Sequence, residues 1–322
     1  MEKQRGIYFN RDFLRAVLFV SLLCFFVLIV PPLGVGAIPF MPLFAIYCYA
    51  KHGRQKGFTV VVASLSLAFV FLALLGAFAG LPLVAAMALA GVIIAECLQK
   101  KYSIEKTILH AVAALFLLEA ALISYQAFIT SETPWHLVQT NLTRQLKISV
   151  DFYGNLPIAK EQAELVKGNI PAIAAALTMI LPALSLVALM FMVWVNLLVA
   201  RPLLHRYGLP GPDFGDLSTW KAPDKMVWYL IGAGVMILMS EGGTGIIGWN
   251  MLIVICAVYM FAGLAIVSYF LKKSPFPAGF RYLIYFLIFA QQIVTLLVTA
   301  VGLFDLWIDF RKLNKTVGDP VV

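Results

Sequence analysis

Long apolar runs separated by short polar connections dominate this 322-residue chain. A helix needs roughly 20 apolar residues to cross about 30 Å of hydrocarbon, and Phe58–Glu96 alone is long enough for two crossings. Hydropathy and turn residues predict nine such segments, at 13–30, 35–50, 58–78, 80–97, 107–128, 171–200, 226–240, 247–271 and 281–308. The pattern therefore predicts an all-α, polytopic membrane helix bundle with eight or nine transmembrane helices, forming one membrane domain over 1–322.

Composition supports a membrane protein and argues against a nucleic-acid-binding one. Hydrophobic residues make up 62% of the chain, above the roughly 45–50% of ordinary soluble proteins. The net charge of +8 comes from basic residues in the short connections, and no water-facing basic domain is present to bind a phosphate backbone. The expected partners are therefore the lipid bilayer, a small-molecule substrate, and a membrane or cytoplasmic protein.

The distribution of lysine and arginine predicts the orientation. If the N-terminus is cytoplasmic, 17 of the 24 basic residues lie on the inner side, as basic connections usually do. This favours a multi-pass membrane protein with a cytoplasmic N-terminus and with 13–30 as a retained first span.

The crossing number stays open. Nine crossings place Arg311, Lys312 and Lys315 outside, whereas eight, with 226–271 crossing once, bring them inside but move Lys272, Lys273 and Arg281 outside. Both arrangements leave 17 basic residues inside and 7 outside, and the length of 226–271 slightly favours nine.

Two connections are long enough to have structure of their own. The outer one, 129–170, carries apolar residues at helical spacing, which predicts an amphipathic helix. These residues are Trp135, Val138, Leu142, Leu146, Val150 and Tyr153. Such a helix would lie on the membrane surface or pack on the loop-side ends of neighbouring spans. The cytoplasmic connection, 201–225, is rich in proline and glycine, which predicts an irregular segment.

Among polar residues at membrane depth, Glu119 is the strongest candidate for a functional role. It lies among leucines and alanines near the middle of 107–128, where an ionised carboxylate is costly. Two interpretations follow: Glu119 belongs to a site for a ligand, a proton or an ion, or it makes a structural hydrogen bond between helices.

Four further residues complete the ligand-binding candidates. Gln291, Gln292 and Asn196 are amides within apolar segments, where such groups tie helices together at about 0.6 kcal/mol per hydrogen bond or contact a substrate. Glu241 opens a glycine-rich break, and irregular backbone at membrane depth must be buried in protein or line a cavity.

The common catalytic motifs do not occur in the sequence. It has no His-Glu-x-x-His helix, no Gly-x-Ser-x-Gly elbow and no phosphate loop ending in Gly-Lys-Ser/Thr. The four histidines and four cysteines show no metal-ligand spacing. We therefore expect no catalytic residue, no metal site and no cofactor, although residues from distant helices could still converge.

Several segments carry a family resemblance and are spread over nearly the whole chain. They are 31–34, 39–44, 51–54, Leu181-Pro182, Asn196, 201–208, 220–223, 227–228 and 302–312. Together they resemble the YybS-like family of bacterial membrane proteins, whose function is unassigned. That family is distantly similar to the substrate-capturing S subunits of energy-coupling-factor transporters, which bind a small molecule and rely on separate ATPase subunits. The resemblance implies small-molecule binding without an ATPase of its own, and it carries over no binding residue.

Three functions are compatible with these features. Polar groups at membrane depth favour small-molecule binding or transport. The aromatic and proline residues of the two long connections are the basis for the alternative, a non-catalytic membrane scaffold or interaction protein. An intramembrane enzyme is the third.

Overall fold

The computed structural model describes residues 11–30, 36–76, 80–154, 160–239 and 243–313. Within these ranges all regular structure is helical, which confirms the predicted all-α class. The α-helices are α1 (Arg11–Ile29), α2 (Pro42–His52), α3 (Arg54–Leu74), α4 (Leu81–Gln99), α5 (Ile104–Thr130), α6 (Pro134–Gly154), α7 (Lys160–Arg206), α8 (Met226–Leu238), α9 (Thr244–Lys273), α10 (Ala278–Ala290) and α11 (Gln292–Ile308). Two short 3₁₀ turns occupy Ile38–Phe40 and Leu217–Thr219.

The described helices include fewer long apolar spans than the sequence predicts. Six of them are long and apolar enough to cross a membrane: α1, α3, α4, α5, α7 and α9. A seventh is obtained if α10 and α11, bent by 100° at their junction, are counted as one span. The predicted eight or nine crossings are thus not confirmed. The difference arises because α2 has only 11 residues and α8 only 13, which cover about 17 and 20 Å.

The chain forms two compact units. The first comprises Met1–Ala121 and Ala188–Phe214, and the second comprises Leu122–Val187 and Gly215–Val322. Helices α5 and α7 contribute residues to both. The assignment of the whole chain to one membrane domain stays a prediction.

In the first unit, two apolar clusters show the relative directions of the first three helices. Phe13 near the start of α1 shares a cluster with Cys48 at the end of α2 and Val60 at the start of α3. Cys24 near the end of α1 shares the other with Ala68 at the end of α3. Helix α2 therefore runs antiparallel to α1, and α3 runs parallel to it. The chain thus returns, after α2, to the end of the unit where α1 begins.

Small residues allow close helix packing in this unit. A methyl group at Gly91 of α4 would lie 2.5 Å from the Pro42 carbonyl oxygen at the start of α2. Buried Ser21 of α1 donates a hydrogen bond of 3.1 Å to the Ser64 carbonyl of α3. Small residues and serine hydroxyls are the usual means by which helices associate within a bilayer.

In the second unit, α9 packs against both α8 and α11. Gly263 of α9 and Gly302 of α11 face each other: a methyl group at Gly302 would lie 2.6 Å from the Gly263 nitrogen and would overlap the Tyr259 carbonyl oxygen. Gly248 of α9 meets the Ala233 carbonyl of α8 in the same way, at 2.9 Å. Glycine at these crossings brings the helix backbones into contact.

Asn250 of α9 inserts its side chain into the backbone ladder of α7. Its Oδ1 accepts a hydrogen bond of 2.9 Å from the Ala183 N–H, and its Nδ2 donates one of 2.8 Å to the Met179 carbonyl. Residues 179 and 183 would pair with each other in an uninterrupted helix. Pro182 lies beside this point, and a proline with an inserted side chain is a common cause of a helix kink.

Helix α6 occupies half of the connection 129–170, which the sequence predicts to lie outside. Val150 of α6 forms a cluster with Ala163 and Ile170 of α7, and Leu146 packs on its edge. Part of the predicted apolar face thus packs on a neighbouring helix, which is one of the two arrangements the sequence leaves open. A position on the membrane surface stays a prediction.

Candidate functional site

Asn196 has a structural environment. Its side chain is 0% exposed, and its Nδ2 donates hydrogen bonds of 2.8 Å to the Pro39 and Met192 carbonyls. The Pro39 carbonyl belongs to the 3₁₀ turn that precedes α2, so the amide ties α7 to that turn. Its Oδ1 accepts no hydrogen bond from the described residues. This geometry agrees with the interpretation of Asn196 as a link between helices.

Gln291 and Gln292 lie at the 100° bend between α10 and α11. Gln291 adopts an extended conformation (φ −114°, ψ 111°), and both side chains are exposed. The hydroxyl of Thr295 donates to the Ile288 carbonyl across the bend, which partly satisfies the broken backbone ladder. The predicted mid-span glutamines are therefore located at a helix break.

Of the two predicted glutamates, the structure describes one, Glu119. Glu119 is half-buried on α5, within the first unit, and has interactions with its surroundings. Glu241 lies outside the described residues. Asn196 and Glu119 belong to the first unit, whereas Gln291 and Gln292 belong to the second.

A small pocket lies where α5, α6 and α7 meet in the second unit. Its volume is about 210 Å³, and the described residues that line it are Ile123, Gln126, Leu137, Val138, Asn141, Leu142, Gln145 and Leu181. Leu137 is buried, and Val138, Leu142 and Leu181 are half-buried, whereas the three amide-bearing side chains are exposed. The pocket thus has an apolar floor and three carboxamides at its rim.

The described lining of this pocket combines apolar and uncharged polar groups. Ligand sites in proteins are mostly apolar concavities with a few polar groups that fix orientation. Each carboxamide supplies two N–H donors and one oxygen acceptor. No charged residue occurs among the described lining residues, so the pocket offers nothing to neutralise an ionic ligand.

A second polar region surrounds the 3₁₀ turn Leu217–Thr219. Arg311 is 3% exposed, and its guanidinium lies 2.7 Å from the carboxylate of Asp305, which is 5% exposed. The same guanidinium donates hydrogen bonds to the carbonyls of Ser218 (2.8 Å) and Trp220 (2.9 Å). A few residues away, Lys221 pairs with Asp309 at 2.8 Å. These contacts attach the segment after α11 to the connection 201–225.

Asp216 joins the end of α9 to the same turn. Its carboxylate accepts hydrogen bonds from the Lys272 ammonium, the Ser218 hydroxyl (2.8 Å) and the Ser218 N–H (3.0 Å). These bonds, first of all the one from Lys272, lower the pKa of Asp216 from 3.8 to about 2. Lys272 ends α9 and Arg311 follows α11, so both helices finish at the same end of this unit.

None of the four predicted ligand residues that the structure describes is among the residues that line the pocket between α5, α6 and α7. Its amides at 141 and 145 are four residues apart on α6, beside the apolar face that the sequence does reveal. That spacing indicates a polar strip along α6, next to its apolar face. The residues of α5 and α7 that complete the pocket cannot be identified without knowing which helices pack together. Asn250 was also missed, although an asparagine within 247–271 is visible in the sequence.

The fold and these sites define a polytopic membrane protein with a small amphipathic pocket and an ion-pair cluster at one end of its second unit. The family of this protein follows from its sequence. Residues 17–306 match the family described as "Predicted membrane protein (DUF2232)", and the chain belongs to that family. No curated protein and no solved structure matches the chain significantly.

Proposed function

We propose that this membrane protein binds a small uncharged molecule in the pocket between α5, α6 and α7, as a binding or transport-type protein. The observation that carries the proposal is the pairing of an apolar floor with Gln126, Asn141 and Gln145 at the rim. Three carboxamides on two helices can hold the polar groups of a ligand while its apolar part lies against the leucines.

The pocket limits the size and polarity of the ligand. Its 210 Å³ correspond to about seven molecules of liquid water. A single ring system or a short branched chain with hydrogen-bonding substituents fits this volume. A charged substrate would lose hydration without gaining an opposite charge. Glu119, Glu241, Gln291 and Gln292 stay candidates for further contacts, and we propose no catalytic residue.

Eight crossings are the arrangement that the helix ends support best. In the first unit α2 runs antiparallel to α1, and in the second unit α8 runs antiparallel to α9, which supports a crossing by each of these short helices. Lys272 and Arg311 reach the same 3₁₀ turn, so α10 and α11 would enter and leave at one side. The tail would then lie with the 201–225 connection, and Arg311, Lys312 and Lys315 would join the other basic residues inside.

This arrangement places the N-terminus and the tail in the cytoplasm of a bacterial cell, and α6 on the outer side. A reporter fused to the C-terminus tests it: a fluorescent protein should fold there and alkaline phosphatase should be inactive. An active phosphatase would show that α10 and α11 together make one crossing. A relation to the YybS-like family and to substrate-capturing subunits stays part of the proposal.

A second candidate function is a membrane scaffold. The observation in its favour is the 3₁₀ turn after Asp216, which Lys272, Arg311 and backbone hydrogen bonds hold in place in an otherwise irregular connection. A fixed loop of this kind can present a constant surface to a cytoplasmic protein.

Native mass spectrometry of the full chain, purified in mild detergent, distinguishes the two functions. A retained small molecule of low mass supports binding or transport, and a retained protein subunit supports the scaffold. A protein that emerges empty, and whose melting temperature no uncharged compound raises, would contradict the proposed binding function.

A further inference from the structure

The polar face of α6 forms a second recess, about 470 Å³ in volume and distinct from the amide-rimmed pocket. Its described lining consists of His136, Gln139, Thr140, Thr143, Arg144 and Lys147. These positions follow one another at steps of three and one, so they form a single helical face that extends over about 16 Å. The pocket residues Leu137, Asn141 and Gln145 occupy the opposite face of the same helix.

The charge of the recess is positive. Arg144 and Lys147 are both exposed, and the described lining contains no acidic residue. Two acids lie near the recess: Asp151 pairs with Lys167 at 3.2 Å, and Glu132 approaches His136, at the N-terminal end of the recess, at 3.4 Å. Among the described residues, no ion pair links Arg144 or Lys147 to a carboxylate. Two cations, one turn apart, therefore face the C-terminal half of the recess, and no described carboxylate forms a salt bridge with either.

The neighbouring uncharged groups suit a phosphate better than a bare halide. The Thr140 hydroxyl and the Gln139 amide can donate hydrogen bonds to phosphate oxygens on either side of the guanidinium. Guanidinium and ammonium groups together give both the planar two-point contact and the point charge that phosphate binding uses. The volume exceeds that of one phosphate, so an attached organic group can be accommodated.

We propose that this basic recess on α6 binds a phosphate group, carried by a lipid headgroup or by a water-soluble phosphate ester. Helix α6 follows α5 and precedes α7, both long and apolar enough to span a membrane, and the predicted position of α6 at the membrane surface would bring the recess to the level of lipid phosphates. The proposal also gives a role to Arg144 and Lys147, which the charge distribution leaves on the outer side. It does not depend on the amide-rimmed pocket, because the two faces of α6 share no residue.

The test measures phosphate binding by the full chain in mild detergent, with two probes. In the lipid arm, native mass spectrometry counts bound phosphatidylglycerol, with diacylglycerol as the lipid that lacks phosphate. In the soluble arm, glycerol 3-phosphate is titrated against the protein. Saturable binding of phosphatidylglycerol alone identifies a lipid site, and saturable binding of glycerol 3-phosphate identifies a soluble ligand.

The variants R144Q/K147Q and K225Q distinguish binding at this recess from a general effect of positive charge. The double variant should bind the active probe about 30-fold more weakly, and K147Q alone about fivefold, because each cation near an anionic surface contributes about 1 kcal/mol. Lys225 is an exposed lysine directly before α8 and is not among the residues of the recess, so K225Q should stay within about twofold of the unchanged protein. Equal affinity in all variants, or binding of neither probe, would overturn the proposal.

Discussion

Arg311 and Asp305 form a buried ion pair, with 2.7 Å between a guanidinium nitrogen and a carboxylate oxygen. Neither residue is more than 5% exposed. Arg311 also donates to two main-chain carbonyls of the 201–225 connection, so one side chain joins the end of α11 to a segment about 90 residues earlier. The pair thus fixes the position of the described residues that directly follow α11 in the second unit.

Removing the arginine should destabilise this unit strongly. Arg311→Met leaves the Asp305 carboxylate buried without its cation, and breaking such a pair costs about 3–5 kcal/mol of the free energy of unfolding. Lys312→Gln is the matched control, because Lys312 is the next residue and is exposed. Chemical unfolding in detergent measures both variants. Similar midpoints for the two would show that the buried pair contributes little.

The Asp216 carboxyl should titrate well below an ordinary aspartate. Its pKa is about 2, and the first cause is the hydrogen bond from Lys272. Because the folded pKa is lower than the unfolded one, the contribution to stability is fully present above about pH 4 and is lost as the pH falls towards 2. Carbon-13 NMR of labelled aspartate in detergent can follow the titration. Lys272→Gln should raise the Asp216 pKa towards 3.8, and an unchanged value would contradict the assigned cause.

The crossing of α9 and α11 should not tolerate a methyl group. Gly302→Ala places a Cβ against the Tyr259 carbonyl and the Gly263 nitrogen, and overpacking of this kind costs about 1–3 kcal/mol. Gly234→Ala is the control, because a Cβ at this glycine of α8 meets no atom within 4 Å. Because alanine has a higher helix propensity than glycine, Gly234→Ala should leave the free energy of unfolding unchanged or raise it by up to about 1 kcal/mol. Melting temperatures in detergent compare the two, and equal shifts would show that the helices are not in close contact.

The Asn196 amide should contribute more to stability than an exposed asparagine on the same helix. Asn196→Ala leaves the Pro39 carbonyl without its donor, at a cost of about 1 kcal/mol. Asn169→Ala removes an exposed amide that bonds only to the Leu165 carbonyl of its own helix, so its effect should stay within about 0.5 kcal/mol. If the two substitutions shift the unfolding midpoint equally, Asn196 does not tie α7 to the 3₁₀ turn.

Much of the helical architecture could be predicted from the sequence, because apolar run length and proline or glycine breaks determine where a membrane helix begins and ends. The number of spans could not be predicted from the sequence, for two reasons. Helices α2 and α8 are apolar but short, and the average hydropathy of a segment does not reveal the bend at Gln291. The structural role of Asn196 was one of two interpretations that the sequence left open.

The candidate sites depend on packing between distant segments. In the sequence, Arg311 is one of three basic residues after the last apolar segment. Its burial depends on Ser218 and Trp220, which are about 90 residues away in the chain, so the sequence does not reveal it. The amide-rimmed pocket was not predicted, because its walls come from three helices and its polar residues are ordinary exposed amides when considered singly. Glu119 has apolar sequence neighbours, which predict a position at membrane depth but carry no information about the groups that it contacts.

The most direct test of the account measures ligand occupancy in two glutamine variants of α6. Gln145 lies at the rim of the amide-rimmed pocket, and Gln139 lies on the opposite, basic face. Native mass spectrometry of the full chain with its retained small molecule compares Gln145→Leu with Gln139→Leu. The account predicts that Gln145→Leu weakens binding by about tenfold, the loss expected for one well-placed hydrogen bond, while Gln139→Leu retains full occupancy. Equal occupancy in both variants would contradict the assignment of the pocket as the binding site.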